Sequence, residues 1–233
     1  MIVSIILMAL GFVLMCVFIY GKLTNYSFRV TMIKIAASAL FVALAIYLYI
    51  IKNLPSVGLF IIIGGFFGLL GDLFLGFKRV FPNYAKLHTL LGMITFAIGH
   101  VVYIVGFYLY FYLPGHIASI IAPLAFGLTF GTCICVFEKK LGLNFGSMKP
   151  FGFIYYTLVS SLCATSFALM VSYSFTSVPL IIIAVGGLLF LTSDTLLGFT
   201  YFGPAKGNKM VSTIYSVAYY VAQFLIAFAI FFI

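Results

Sequence analysis

Acidic side chains are scarce in this 233-residue chain: Asp72, Glu138 and Asp194 are all of them. Two of the three lie inside apolar runs that resemble each other. Sliding the chain along itself by 122 residues sets IIIGGFFGLLGDLFLGF, residues 61–77, over IAVGGLLFLTSDTLLGF, residues 183–199, with eight of seventeen positions identical. The shared frame is Gly-Gly, six residues, Asp, two residues, Leu-Gly-Phe, and it puts Asp72 and Asp194 at equivalent points. A charged aspartate at the middle of a membrane helix costs on the order of 3 kcal/mol, so such residues face a bundle interior and carry protons, ions or substrate contacts. The structural alternative is a hydrogen-bonding staple between helices, or a pair with Lys34. Both acids lie within two turns of the helix ends that face the basic loops, where water lessens the cost.

Other groups able to join that chemistry are few. His100 and Tyr103 are three apart on an apolar segment and so adjacent on one helix face. Tyr219 or Tyr220 lines up with Gln223 in the last segment. Tyr155, Tyr156 and Ser193 complete the polar set, and for each tyrosine packing or an interfacial position is the competing role. Lys34 either snorkels to the headgroups or meets a carboxylate or a substrate phosphate, a task the basic cluster Lys78, Arg79 and Lys86 shares. Gly64, Gly68, Asp72 and Gly76 recur every four residues, and this glycine face predicts close approach of another helix and an inward-pointing Asp72. No HExxH, nucleophile elbow or phosphate loop is present. Cys16, Cys133, Cys135 and Cys163 all fall in apolar segments, and Cys133 and Cys135 point to different helix faces. No metal site and no cofactor is expected.

The elements that must position these groups follow from composition. The chain is 65% hydrophobic and 6% charged, against roughly a quarter charged in soluble domains. Apolar runs long enough to cross a bilayer occur at 2–20, 32–51, 57–77, 88–112, 116–137, 150–171, 177–202 and 210–232. The expectation is an all-α polytopic membrane protein, one domain over 1–233, with eight transmembrane helices and two parallel four-helix repeats, 1–112 and 113–233. The first run has no basic residue ahead of it and no small-residue cleavage site after it, so it is expected to remain as a helix. The net charge of +9 suggests no nucleic-acid partner, because its location is biased. Lys22 and Arg29, then Lys78, Arg79 and Lys86, then Lys139, Lys140 and Lys149, then Lys206 and Lys209 fall in alternate connections, with Lys52 alone opposite. This positive-inside pattern places those loops in the cytoplasm and both termini on the other side, with anionic lipid headgroups as the partners of the basic residues.

At these residues the chain resembles the lysoplasmalogenase family of integral membrane proteins, the YhhN type. The likeness rests on GLLGDLFL at 68–75, on G-M-x-x-F-x-x-G-H-x-x-Y from Gly92 to Tyr103, on LLFLTSD at 188–194 and on Y-Y-x-x-Q from Tyr219 to Gln223. It implies hydrolysis of the vinyl ether bond of lysoplasmalogens, giving a fatty aldehyde and a glycerophospho-base, with no cofactor and a lysophospholipid as substrate. Vinyl ether cleavage needs a proton donor to carbon and a group that stabilises the resulting oxocarbenium ion and activates water, the pair of tasks two carboxyls share in glycosidases. Asp72 and Asp194 are expected to be that pair, in either order, with His100 orienting or tuning one of them. Tyr103, Tyr156, Ser193, Tyr220 and Gln223 are expected to hold water or substrate hydroxyls, and Lys34 to meet the phosphate. Two other classes use the same residues: a proton-coupled small-solute transporter, and a lipid-binding membrane protein without turnover. Against the transporter, the ionisable groups crowd one half of the membrane and no matched pair of proline-broken helices occurs.

Overall fold

Each apolar run becomes one helix, because a segment surrounded by hydrocarbon must satisfy its backbone polar groups within itself. The computed structural model describes residues 1–53 and 57–233, and within them it is all-helical with no strand. The helices are α1 Ile2–Thr24, α2 Phe28–Lys52, α3 Val57–Val80, α4 Ala85–Phe111, α5 Ala118–Val136, α6 Lys149–Ser172, α7 Val178–Phe202 and α8 Lys209–Ala229, the last closing in a tight turn at Ile230–Phe232. All eight are long and apolar enough to cross a membrane. Several extend beyond the apolar runs at the basic end. Lys22 lies in the last turn of α1, Lys78 and Arg79 end α3, and Lys149 and Lys209 start α6 and α8. Hydropathy marks only the stretch matched to hydrocarbon, whereas the backbone ladder continues into the headgroup region, and cations in a last turn complement the helix dipole. Proline in the first turn opens α6 and α7, where the missing N–H costs nothing. Asn208 caps α8 by accepting from Val211 N at 3.0 Å.

Helix neighbours in sequence pack together, α1 on α2, α3 on α4, α5 on α6 and α7 on α8, and α2–α3 and α6–α7 join these hairpins. The principal contacts across the bundle are α4 on α6 and α2 on α8, and α1 and α3 also touch α8. This principal set maps onto itself when every helix number advances by four, whereas the contacts of α1 and α3 with α8 have no counterpart of that extent among the described residues. The connections rich in lysine share one end of the bundle: Asn144 N donates to Phe202 O at 2.7 Å, Arg79 lies over the Tyr26 ring, and Lys22, Arg79 and Asn208 border one recess. At the opposite end Lys52 lies over the Phe231 ring.

Polarity is arranged inside out relative to a soluble protein. Apolar side chains such as Ile5, Phe12, Leu109 and Leu128 are exposed on the outer surface, whereas Asp72, His100, Ser160, Ser166, Asp194 and Gln223 are buried. Burying polar groups is tolerable only when they bond one another, so the interior must hold a connected network. That network lies around α3 and α7, in the half of the bundle toward the basic end.

Candidate active site

The first half of the site is built on two helical repeats of four residues. Lys34 and Ser38 lie one turn apart on α2, Tyr219 and Gln223 one turn apart on α8, and each pair faces α3. Asp72 Oδ1 sits 2.8 Å from Lys34 Nζ, while Oδ2 accepts from the Ser38 hydroxyl at 2.5 Å and from Tyr219 Oη at 2.6 Å. Lys34 Nζ also reaches the carbonyl of Asp72 at 3.2 Å, and Tyr220 Oη donates to the carbonyl of Lys34 at 3.1 Å. Behind Tyr219 the chain continues: Tyr103 Oη donates to Gln223 Oε1 at 2.8 Å, and Gln223 Nε2 donates to Tyr219 Oη at 3.4 Å. Every proton in this chain points toward Asp72, and an ammonium and two hydroxyls converge on its two oxygens. Such a donor set suits a carboxylate anion.

The glycines of α3 make this possible, though not mainly through close helix approach. A methyl group at Gly68 would lie 2.4 Å from Gln223 Nε2, at Gly64 2.5 Å from the Tyr103 ring, and at Gly71 2.5 Å from the Phe96 ring. The glycine face is therefore mostly a set of berths for side chains of α4 and α8. True backbone contact occurs at Gly99 of α4, whose added methyl would meet Gly64 O at 3.1 Å.

Asp194 has different company. Tyr155 Oη donates to its Oδ2 at 2.6 Å, and His100 Nε2 lies 3.8 Å from that same oxygen, too far for a hydrogen bond. The imidazole is buried edge-on to the Phe190 and Tyr155 rings, with neither ring nitrogen bonded. A buried unbonded nitrogen is costly, and Asp194 is the acid beside it. Ser193 donates to the carbonyl of Tyr215 at 2.9 Å and so ties α7 to α8. Tyr156 fills the space at Gly198, where a methyl would collide with its hydroxyl.

Both carboxyls line one cavity of about 510 Å³ that includes its open mouth. Lys22, Lys34, Arg79, Ser193, Tyr219 and Tyr220 share that wall. Lys22 Nζ donates to Ser216 Oγ at 2.7 Å and to the carbonyl of Ser212 at 3.1 Å, over the Tyr215 ring at 3.9 Å. Among the described residues neither Lys22 nor Arg79 pairs with a carboxylate; Glu138, the third acid, is bonded to Lys149. The mouth therefore has a surplus of positive charge. Also among the described residues, no three His, Cys, Asp or Glu side chains come together as a metal site.

The structure thus gathers Asp72, Lys34, Tyr103, Tyr220 and Gln223 around one carboxyl and His100 and Asp194 around the other, with Tyr156 and Ser193 in the adjoining wall. Lys34, expected at a phosphate, has its ammonium on Asp72. Three contributors were not singled out from sequence: Ser38, Tyr155 as opposed to Tyr156, and Lys22; of the basic cluster expected at a phosphate, Arg79 is the member in the cavity wall. Ser38 was detectable, since it stands one helical turn from Lys34. Choosing between adjacent tyrosines, Tyr155 or Tyr156 and Tyr219 or Tyr220, requires the rotation of each helix about its axis. Lys22 and Arg79 looked like loop charges because their helices outlast the apolar runs.

Carboxyls buried between bilayer-length helices, at a cavity with cations at its mouth, define a polytopic membrane protein with an intramembrane acid site. The YhhN family model matches residues 29–230, and the chain belongs to that family, which contains lysoplasmalogenases. No significant match to a curated protein or to a solved structure was found.

Proposed function

We propose that this protein hydrolyses the vinyl ether bond of lysoplasmalogens, releasing a fatty aldehyde and a glycerophospho-base. The observation that carries this is the convergence of Asp72 and Asp194 on a single cavity whose mouth is cationic. A single-chain phospholipid has matching polarity: an anionic phosphate for Lys22 and Arg79, with Lys34 behind them, and a reactive bond a few atoms deeper. One carboxylic acid gives its proton to the alkenyl carbon remote from oxygen, and the double bond becomes an oxocarbenium ion. Water adds to the carbon bearing oxygen and passes a proton to the other carboxylate. The hemiacetal then collapses: its hydroxyl proton returns to the first carboxylate, the second carboxyl protonates the departing glycerol oxygen, and both groups are restored. An anionic carboxylate held within the low-dielectric cavity also stabilises the cation electrostatically. Tyr155 orients the Asp194 carboxyl, His100 beside it tunes its surroundings, and Ser193, Tyr103, Tyr156, Tyr220 and Gln223 shape the water and hydroxyl positions. The positive-inside bias supports a mouth on the cytoplasmic side, facing anionic lipid.

The test is aldehyde release by purified protein offered a lysoplasmalogen and its saturated ether analogue, since only the vinyl ether can be protonated at carbon. The wild type should cleave the first and not the second. Folded Asp72→Asn and Asp194→Asn variants should lose at least roughly a hundredfold in rate, the scale of a missing general acid or base. Normal release by both variants refutes the mechanism, and inertness of the wild type toward both lipids favours carriage or binding without turnover.

A further inference from the structure

The cavity at the two aspartates has a second arm, and Asp194 stands in the wall of both. Beside the polar arm that leads to Lys22 and Arg79 lies a narrow recess, about 380 Å³ with the open space at its mouth included, whose wall includes Met93, Tyr155, Tyr156, Leu197 and Phe202. Leu75, Phe96, Leu197 and Tyr201 border both arms, so the two spaces adjoin at the wall that holds Asp194. Asp72 borders only the polar arm.

The 122-residue offset relates the two arms by substitution. Lys34 corresponds to Tyr156, Arg79 to Tyr201 and Tyr215 to Met93. Where the Asp72 half carries a cation, the Asp194 half carries a phenol ring, so one carboxyl faces a charged vestibule and its counterpart an apolar slot. Their bonding differs in the same sense. Both oxygens of Asp72 are engaged by Lys34, Ser38 and Tyr219, whereas Asp194 has the single donor Tyr155 on Oδ2 and keeps Oδ1 free of hydrogen bonds among the described residues. A carboxyl with a free oxygen at a junction is positioned to hand over a proton; one held by donors on both oxygens is kept ionised and is left as the acceptor.

The geometry points to the recess between Met93 and Leu197 as the binding site for the hydrocarbon chain of a single-chain phospholipid, and to Asp194 as the group that protonates its first carbons. This rests on the hydrolytic function proposed above. The vinyl ether is the first bond of the chain, at the border between polar and apolar parts of the molecule. With phosphate between Lys22 and Arg79 and the chain in the recess, that border falls where the arms meet. The Asp194 carboxyl proton goes to the remote alkenyl carbon, whose π electrons form the new C–H bond. The ether oxygen lone pair then forms the C=O⁺ bond. Water attacks that carbon, and its proton goes to Asp72, which Lys34 and Tyr219 hold ready. A second apolar groove, between α1 and α8 beside Phe12 and Phe228, offers a different berth of about 910 Å³. It meets the polar arm only at Tyr220, whose hydroxyl is bonded to Ser38 and the Lys34 carbonyl, and neither carboxyl lines it.

A saturated alkyl ether lysophosphocholine carrying a photoreactive diazirine in mid-chain tests the berth without turnover, using the intact protein in detergent. Photoadducts should map to Met93, Leu197 or Phe202, and adducts confined to Phe12, Phe228 and their neighbours overturn the assignment. Met93→Trp should weaken binding of the long-chain analogue roughly tenfold, a modest steric discrimination, and unchanged binding counts against the recess. Azide tests the proton donor, because an anionic nucleophile needs no base. Azide should restore consumption of the vinyl ether, as the azido ether adduct, in Asp72→Asn and not in Asp194→Asn; the reverse pattern overturns it. Adducts in the recess without any wild-type aldehyde release would leave the chain site standing and sink hydrolysis, whereas aldehyde release with adducts in the α1–α8 groove would do the opposite.

Discussion

Replacing Lys34 with methionine removes the cation from a carboxylate that is almost completely enclosed. The side chains of the pair are 11% and 3% exposed, with Nζ and Oδ1 2.8 Å apart. Deleting one member of a buried ion pair costs about 3–5 kcal/mol, because the survivor is left as an uncompensated charge. For a chain of this size each kcal/mol moves the melting midpoint by about 2–4 °C, so Lys34→Met should melt on the order of 10 °C below wild type. Adding Asp72→Asn to that variant removes the stranded charge and should recover about 1–3 kcal/mol of the loss in the double-mutant cycle. A thiol-reactive dye provides the assay in detergent: Cys135 and Cys163 are buried and become reactive as the bundle opens, while the exposed Cys16 and Cys133 set the baseline. If Lys34→Met melts with the wild type, or if the double variant melts as low as the single one, the ion pair is not what holds α2 to α3 at this point.

Other perturbations address the rest of the network. Gly68→Ala places a methyl 2.4 Å from Gln223 Nε2; it should destabilise the bundle by about 1–3 kcal/mol and slow turnover by displacing the Tyr103–Gln223–Tyr219 chain, with Gln223→Ala in the same protein relieving the stability loss in the melting assay. Tyr155→Phe deletes the one hydroxyl bonded to Asp194, and turnover should fall at least roughly tenfold, in line with loss of about 1.5–3 kcal/mol from a hydrogen bond to a charged group. A rate equal to wild type would remove Tyr155 from the site. Lys22→Ala combined with Arg79→Ala should raise KM for the lysophospholipid several-fold while kcat changes less, because phosphate binding is shared by ground and transition states. A fall in kcat with unchanged KM would place these cations in the chemistry instead.

Much of this protein is determined by sequence alone, because the bilayer imposes a simple rule on it. Apolar runs of sufficient length must become helices, so the eight spans, the absence of strands among the described residues and the inward burial of Asp72 and Asp194 follow from hydropathy and from the scarcity of acids. The repeated frame around the two aspartates was visible as letters, as were His100, Lys34 and Gln223. What hydropathy could not supply is the rotation of each helix about its axis and the partner each face meets. Those two quantities decide that Tyr219 rather than Tyr220 bonds Asp72, that Tyr155 rather than Tyr156 bonds Asp194, that Lys34 meets a carboxylate, and that the glycines of α3 receive side chains. They also draw Lys22 and Arg79 from seemingly external loops to the mouth of the cavity. A one-residue step turns a helix face by about 100°, so choices between adjacent residues belong to the packed bundle, where space and unpaired charge select one orientation.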